Sequence, residues 1–256
     1  MKIVKKEWES NFFDRAMWSL DLERRKWSYE DIPDFASRLD ELFEETGQGL
    51  YDCELDARYL FLAPALEDRG FRLWDSRFQF ITRFKREELP HYPYDLPEEI
   101  ELRSYSPSDK AQIHELNKKY LIQAKQLVTK FRSSFFPADA SERWFTAWID
   151  NSLEEGGYCS VLDRDGVLEG FFIYLRREYG DGLPLFKGVL TSITPEYRGK
   201  NLHLAMQEQI LRDQISDPEY YLDNSTQIGN IPVVKNHFNS HRKPTAMNLI
   251  FLMERK

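Results

Sequence analysis

The chain's 256 residues are enough for one large hydrophobic core or two small ones. A net charge of -8 with 41% hydrophobic and 30% charged residues suits a water-soluble globular protein and argues against nucleic acid as the main partner, because the basic knots, Lys2 to Lys6 and Arg24-Arg25-Lys26, are short and lie near acidic residues. Two cysteines, Cys53 and Cys159, without a CxxC, give neither a disulfide framework nor a zinc site; with no apolar signal core in the first residues and no run of transmembrane length, a cytoplasmic protein without a membrane partner is expected.

Trp8 to Phe13 is a compact aromatic stretch, and Met17 to Leu22 alternates as a strand does. Ile32, Phe35, Leu39, Leu42 and Phe43 fall at helical spacing, and Gly47 and Gly49 end that pattern. A strand over Tyr51 to Leu55, a helical piece over Leu60 to Asp68 with Gly70 as its stop, and one or two strands across Phe71 to Phe84 follow. These elements predict a small N-terminal α/β module. Pro90, Pro93 and Pro97 among charged residues mark a connector, placing the domains at 1–95 and 96–256.

The second part opens with a short strand, Ile100 to Arg103. Ser106-Pro107-Ser108-Asp109 then starts a helix that carries Ile113, Leu116 and Leu121 and runs to about Val128. Arg132 to Pro137 reads as a loop with two exposed phenylalanines. A helix capped by Asp139 or Ser141 presents Trp144, Phe145, Trp148 and Ile149 as a core stripe. Asp165-Gly166 centres a hairpin between Tyr158 to Leu162 and Val167 to Leu175. The apolar strand Leu185 to Ile193 breaks at Thr194-Pro195. A turn, a helical pattern over Asn201 to Ile215, a strand over Tyr220 to Leu222, a helix opening at Asn230 and a strand over Met247 to Met253 complete a mixed-sheet α/β domain.

Within this domain, strand, glycine-containing turn and helix form an anion cradle in sequence. At Gly199 a missing Cβ lets backbone approach a pyrophosphate, Arg198 and Lys200 flank it, and helix amides from about Lys200 to Leu202 can donate to phosphate oxygens. The plain alternative is a surface turn with a solvated Arg-Gly-Lys.

The order of elements around Ile193-Thr194-Pro195-Glu196-Tyr197-Arg198-Gly199-Lys200 resembles the GNAT acetyltransferase family. The resemblance implies an α/β (α+β) fold: a mixed, mostly antiparallel sheet flanked by helices, here preceded by the N-terminal module. It implies acetyl-CoA as acyl donor, with Arg198, Gly199, Lys200, Asn201, Leu202 and His203 in the family's phosphate-binding turn. Backbone groups near Thr191, Ser192 and Ile193 would pair with the pantetheine. Gly229 to Phe238 looks like the family's second signature, in which Asn230 would contact the cofactor and His237 stands where a Tyr commonly acts as general acid. The chain departs from the pattern at Asn201 and His203, which replace both later glycines. Asn tolerates left-handed backbone; the bulk of His203 is expected to crowd the cofactor.

Shorter matches at Trp8 to Phe13, Phe136 to Ser141, Trp148 to Asn151 and Thr226 to Asn230 resemble enzymes that acetylate dTDP-4-amino-4,6-dideoxygalactose (dTDP-fucosamine), implying a nucleotide-linked amino sugar as the primary amine. For that acceptor, Lys130 and Arg132 are candidates for the diphosphate, Phe135 for stacking, and Tyr174 for the cleft. The bland reading of the same loop is aromatics packing on the N-terminal module. Glu178 and the Asp181 turn are further sources of a base. Another amine (a polyamine, an amino acid or an antibiotic) and a non-catalytic acyl-CoA-binding protein stay open. The aromatic surplus and an exposed sheet edge make a homodimer a further expectation.

Overall fold

The computed structural model describes residues 1–22, 25–88, 93–122, 129–240 and 242–256. Pro90 of the connector and the predicted helix end towards Val128 lie outside these residues. In chain order the elements are β1 (Lys2–Lys5), α1 (Glu7–Phe13), β2 (Met17–Asp21), α2 (Ile32–Thr46), β3 (Gly49–Asp56), α3 (Ala63–Glu67), β4 (Arg72–Gln79), β5 (Ile81–Lys85), β6 (Glu101–Ser104), α4 (Lys110–Asn117), α5 (Ala140–Glu154), β7 (Tyr158–Arg164), β8 (Val167–Glu178), β9 (Pro184–Ile193), α6 (Leu202–Gln209), β10 (Glu219–Asp223), β11 (Thr226–Gln227), α7 (Ile231–Asn239) and β12 (Ala246–Arg255). They form a mixed α/β fold with two mostly antiparallel sheets flanked by helices.

The predicted cut near residue 95 is replaced by a discontinuous division. One compact unit holds Met1–Phe78, Val128–Pro137 and Ala246–Lys256; the other holds Gln79–Leu127 and Ala138–Thr245. The reason is strand pairing. A run of prolines and charges marks where the chain is polar, whereas ladders of hydrogen bonds decide which segments cohere. β12, expected in the second domain, pairs antiparallel with β3 from Asn248 opposite Asp56 to Arg255 opposite Gly49. The stretch from Phe71 to Phe84 breaks at buried Phe80 into β4 and β5, which join different sheets.

The first unit's sheet runs β1-β2-β3-β12-β4, with β2 and β3 parallel. The predicted stripe of α2 buries Phe35, Leu39, Leu42 and Phe43 in one cluster with Leu20, Tyr51, Phe71 and Phe251. Phe13 on α1 packs on Phe131 at 5.5 Å and on Phe136 at 4.9 Å between ring centroids. Phe136 is thereby buried, not exposed as predicted, because the aromatic residues of α1 give it a partner.

The second unit's sheet runs β5-β10-β9-β8-β7-β6, antiparallel except for the β9–β10 pair. Leu202, Met206 and Ile210 cover one face, over Phe172, Phe186 and Tyr220. Ile113, Leu116 and Ile149 cover the other, over Val161, Phe171 and Ile173. Both central hairpin residues, Asp165 and Gly166, have positive φ (52° and 84°), the geometry a two-residue type I′ turn requires.

Candidate functional site

The site grows out of the parallel pair in the second unit. β10 runs beside β9 for three residues, Leu185 to Lys187 opposite Tyr221 to Asp223, and the pairing then stops. β9 continues to Ile193 with β8 on its other side, the register skipping Val189 as a bulge between Gly188 opposite Tyr174 and Leu190 opposite Ile173. The Thr194 N–H donates to the Glu169 carbonyl at 2.8 Å, which sets the phase of this ladder. In an antiparallel pair alternate residues turn N–H and C=O towards the partner. Ser192 therefore bonds towards β8, while Thr191 and Ile193 turn their backbone groups to the side that β10 has left. An extended ligand can hydrogen-bond there as an added strand does.

At the end of this open edge the chain turns into α6. Gly199 has φ +84° with open space where a Cβ would stand, and Asn201 is left-handed at φ 59°, ψ 23°. The expected stand-in of Asn for glycine is thus the observed backbone, and Asn201 Nδ2 also donates to the Pro93 carbonyl at 3.2 Å. The first turn of α6 carries no acidic residue, and no side chain caps it. The Leu204 N–H donates to the Asn201 carbonyl at 2.8 Å, and the amides ahead of it stand at the positive end of the dipole. Arg198 reaches back, its Nε donating to the Ile193 carbonyl at 2.9 Å. Lys200 is half-buried, and its carbonyl accepts from the Asp95 N–H.

Burial with the Arg242 charge pushes the His203 pKa down to about 4, and His203 in turn acts on His237. His237, near the end of α7, is 6% exposed, packs on Phe80 at 4.3 Å and sits 3.4 Å from Arg242 Nη1 through Nδ1. A guanidinium can only donate, so Nδ1 is the acceptor and the neutral ring carries its proton on Nε2. Burial first, then Arg242 and His203, push the His237 pKa down to about 3. At neutral pH the ring therefore has no imidazolium proton to give and can act through Nε2–H as a hydrogen-bond donor. Asn230 occupies the N-cap position of α7 without a side-chain cap bond, and its N–H donates to the Gln227 carbonyl.

No family model matches the sequence, and no curated protein does. Solved structures do match. A GCN5-related N-acetyltransferase from Sphaerobacter thermophilus is 13% identical with a TM-score of 0.56, over 94% of this chain and 73% of that one. A tandem GNAT protein from the clavulanic acid biosynthesis pathway is 14% identical with a TM-score of 0.54, over 94% and 77%. A GCN5-related N-acetyltransferase from Kribbella flavida is 10% identical with a TM-score of 0.54, over 93% and 81%. The fold is GNAT-like.

On this GNAT-like fold the predicted cofactor residues Thr191 to Ile193, Arg198 to His203 and Asn230 all belong to the second unit. The predicted acceptor residues are divided between the two units. Lys130, Arg132 and Phe135 belong to the first unit, where Lys130 Nζ donates to Asp52 Oδ2 at 2.7 Å and lies 3.2 Å from Glu9 Oε1. The Phe135 carbonyl accepts from Arg15. Tyr174 is fully buried and donates its hydroxyl to Asn224 Oδ1 at 2.6 Å. Asp181 is engaged by the Tyr221 hydroxyl and the Leu183 N–H. The sequence reading missed Asn224 and Gly188, which stand where β9 and β10 part. An isolated glycine in an apolar strand is the signal that was available, since it marks a bulge or a close approach. Among the described residues, no helix is long and apolar enough to cross a membrane.

Proposed function

We propose that this protein is an N-acetyltransferase that moves an acetyl group from acetyl-CoA to a primary amine by direct attack. The observation that carries the reading is the open edge of β9 beyond Lys187, leading without interruption to the uncapped start of α6. The residues fit the donor: the Thr191 and Ile193 backbones suit the amides of a pantetheine, and Arg198, Gly199 and the α6 amides suit its pyrophosphate. Bound acetyl-CoA supplies an activated acyl group. The amine nitrogen bonds to the acyl carbon, the carbon–sulfur bond breaks, and the proton shed by nitrogen balances the one the thiolate gains. The chain contributes alignment of the two reactants and fixed donors at the acyl oxygen. His237 enters as a neutral donor through Nε2–H; solvent then supplies the thiol proton.

For the acceptor we favour a nucleotide-linked amino sugar, on the short sequence matches quoted above. A net charge of -8 favours a cationic amine such as a polyamine as the second reading. Isothermal titration tests the donor site: acetyl-CoA and CoA should both bind, and absence of heat with either sinks the proposal. A thiol-release assay across dTDP- and UDP-amino sugars and polyamines then decides the acceptor. Turnover with polyamines and none with sugar nucleotides would remove the amino-sugar reading.

A further inference from the structure

We propose that Asn224 is the donor that holds the acyl carbonyl in this site, its Nδ2 bonding the thioester oxygen, with Tyr174 and Gly188 fixing it in place; this rests on the acetyl-CoA reading above. Asn224 is the first residue of the β10 strand line that no longer pairs with β9, since the ladder ends at Asp223 opposite Lys187. Its N–H turns away to the Phe80 carbonyl at 3.2 Å. Its side chain takes the place of the missing rung: a Cβ added to Gly188 would lie 2.7 Å from Asn224 Oδ1. Glycine at 188 is therefore what admits the amide as a wedge between the two strands.

Tyr174, opposite Gly188 on β8, clamps the wedge by donating to Oδ1 at 2.6 Å in a fully buried setting. With Oδ1 engaged, the plane of the amide is set and Nδ2 has a defined direction. Asn224 is 7% exposed, and Nδ2 is buried without an acceptor. Buried amide groups almost always find a partner, and an exception calls for a ligand or a water. The missing partner must offer an acceptor lone pair and must lie at the parting of β9 and β10. A carbonyl oxygen whose negative charge grows as an amine adds to its carbon meets both conditions. A neutral carboxamide is also a donor whose charge does not change with pH. The neighbouring Asp223 carboxylate cannot fill this role, because it only accepts hydrogen bonds, one of them from Ser225 Oγ at 2.7 Å.

The test compares acetyl-CoA with CoA, which lacks the acyl oxygen, in wild type, Asn224→Ala and Tyr174→Phe. Titration calorimetry should show acetyl-CoA bound about 5- to 10-fold more weakly by Asn224→Ala, the loss expected for one hydrogen bond, with CoA affinity unchanged. Tyr174→Phe should give the same discrimination, smaller. Infrared difference spectra with carbonyl-labelled acetyl-CoA should show the acyl stretch at higher frequency in both variants. Acetyl-CoA and CoA affected alike in both variants, or an unmoved carbonyl band, overturns the assignment while leaving the donor site intact. Wild-type protein that binds neither ligand overturns the assignment together with the reading it rests on.

Discussion

The chain builds a strand, a helix and a parallel strand twice, and the two copies end differently. In the first unit β2 is closed on both sides: Lys2 to Lys5 of β1 pair with it along one edge, and Met17 to Leu20 pair with Leu50 to Cys53 of β3 along the other. In the second, β9 keeps its parallel partner for three residues and then loses it to the Asn224 wedge. The helix starts differ in the same sense. Ahead of α2, Ser28 and Asp31 form a capping box, and Asp34 follows in the first turn of the helix. At α6 no side chain caps and the first turn carries no acid. One topology thus yields a strand paired along both edges in one place and a strand that loses its parallel partner in the other. The choice rests on a handful of polar side chains at the strand ends.

Breaking the closed copy should have the largest effect. Asp52 is buried on β3 with Lys6 and Lys130 both donating to its Oδ2 at 2.7 Å. Asp52→Ala leaves two lysines without that anion and should cost about 3–5 kcal/mol, read as a lower urea midpoint. Opening the wedge comes next. Gly188→Val drives a branched side chain into Asn224, and overpacking of this kind costs about 1–3 kcal/mol. Acetyl-CoA binding should fall with it, whereas a change of equal bulk in β2 should leave binding untouched.

Acid should separate the copies. Burial pushes the Asp52 pKa up, but Lys130 and Lys6 outweigh it and hold the carboxyl below the usual range. Its stabilisation is complete above an ordinary carboxylate pKa and is lost only below about pH 4. The lowered pKa values of His203 and His237 act earlier. Between about 6.5 and their folded values the unfolded chain binds protons that the fold refuses, so stability falls as pH drops from about 6.5. Urea midpoints from pH 8 to 3 should show both slopes. His237→Gln should flatten the upper one and Asp52→Asn the lower, and an unchanged upper slope would contradict the buried neutral ring. The smallest effect is expected at Asn201→Ala, which places a Cβ-bearing residue without a side-chain amide at φ 59° and should cost about 1 kcal/mol, whereas Asn201→Gly should cost less.

Much of the fold was legible because its signals are local. Helical spacing in α2 and α5, Asp165-Gly166 in the hairpin, and Gly199 in the turn are each decided within a few residues. Sheet membership was not. β12 carries a continuous apolar run, Leu249 to Met253, that suits a strand in either sheet, and nothing within its ten residues names β3 as its partner. Site reading shows the same limit. The left-handed turn could be read, because a glycine before a helix start most often marks such a backbone. The ion-pair partners of Lys130, Asp52 and Glu9, could not be read, since they are 78 and more than a hundred residues away in the chain. Asn224 escaped notice because its meaning depends on which residue lies beneath it, Gly188, and which hydroxyl reaches it.

β12 also fixes an order of events. The sheet of the first unit contains β3 and a strand nearly two hundred residues further along, registered Leu249 to Leu55 and Phe251 to Cys53. During synthesis the N-terminal residues emerge early, yet Phe251, which lies in their core cluster, emerges after the whole of the second unit. The first unit therefore waits with an unpaired edge on β3, and its completion requires closing a very long loop, a slow step. Chaperone dependence and vulnerability to proteolysis in nascent chains should be concentrated on β3 and α2 until that strand arrives.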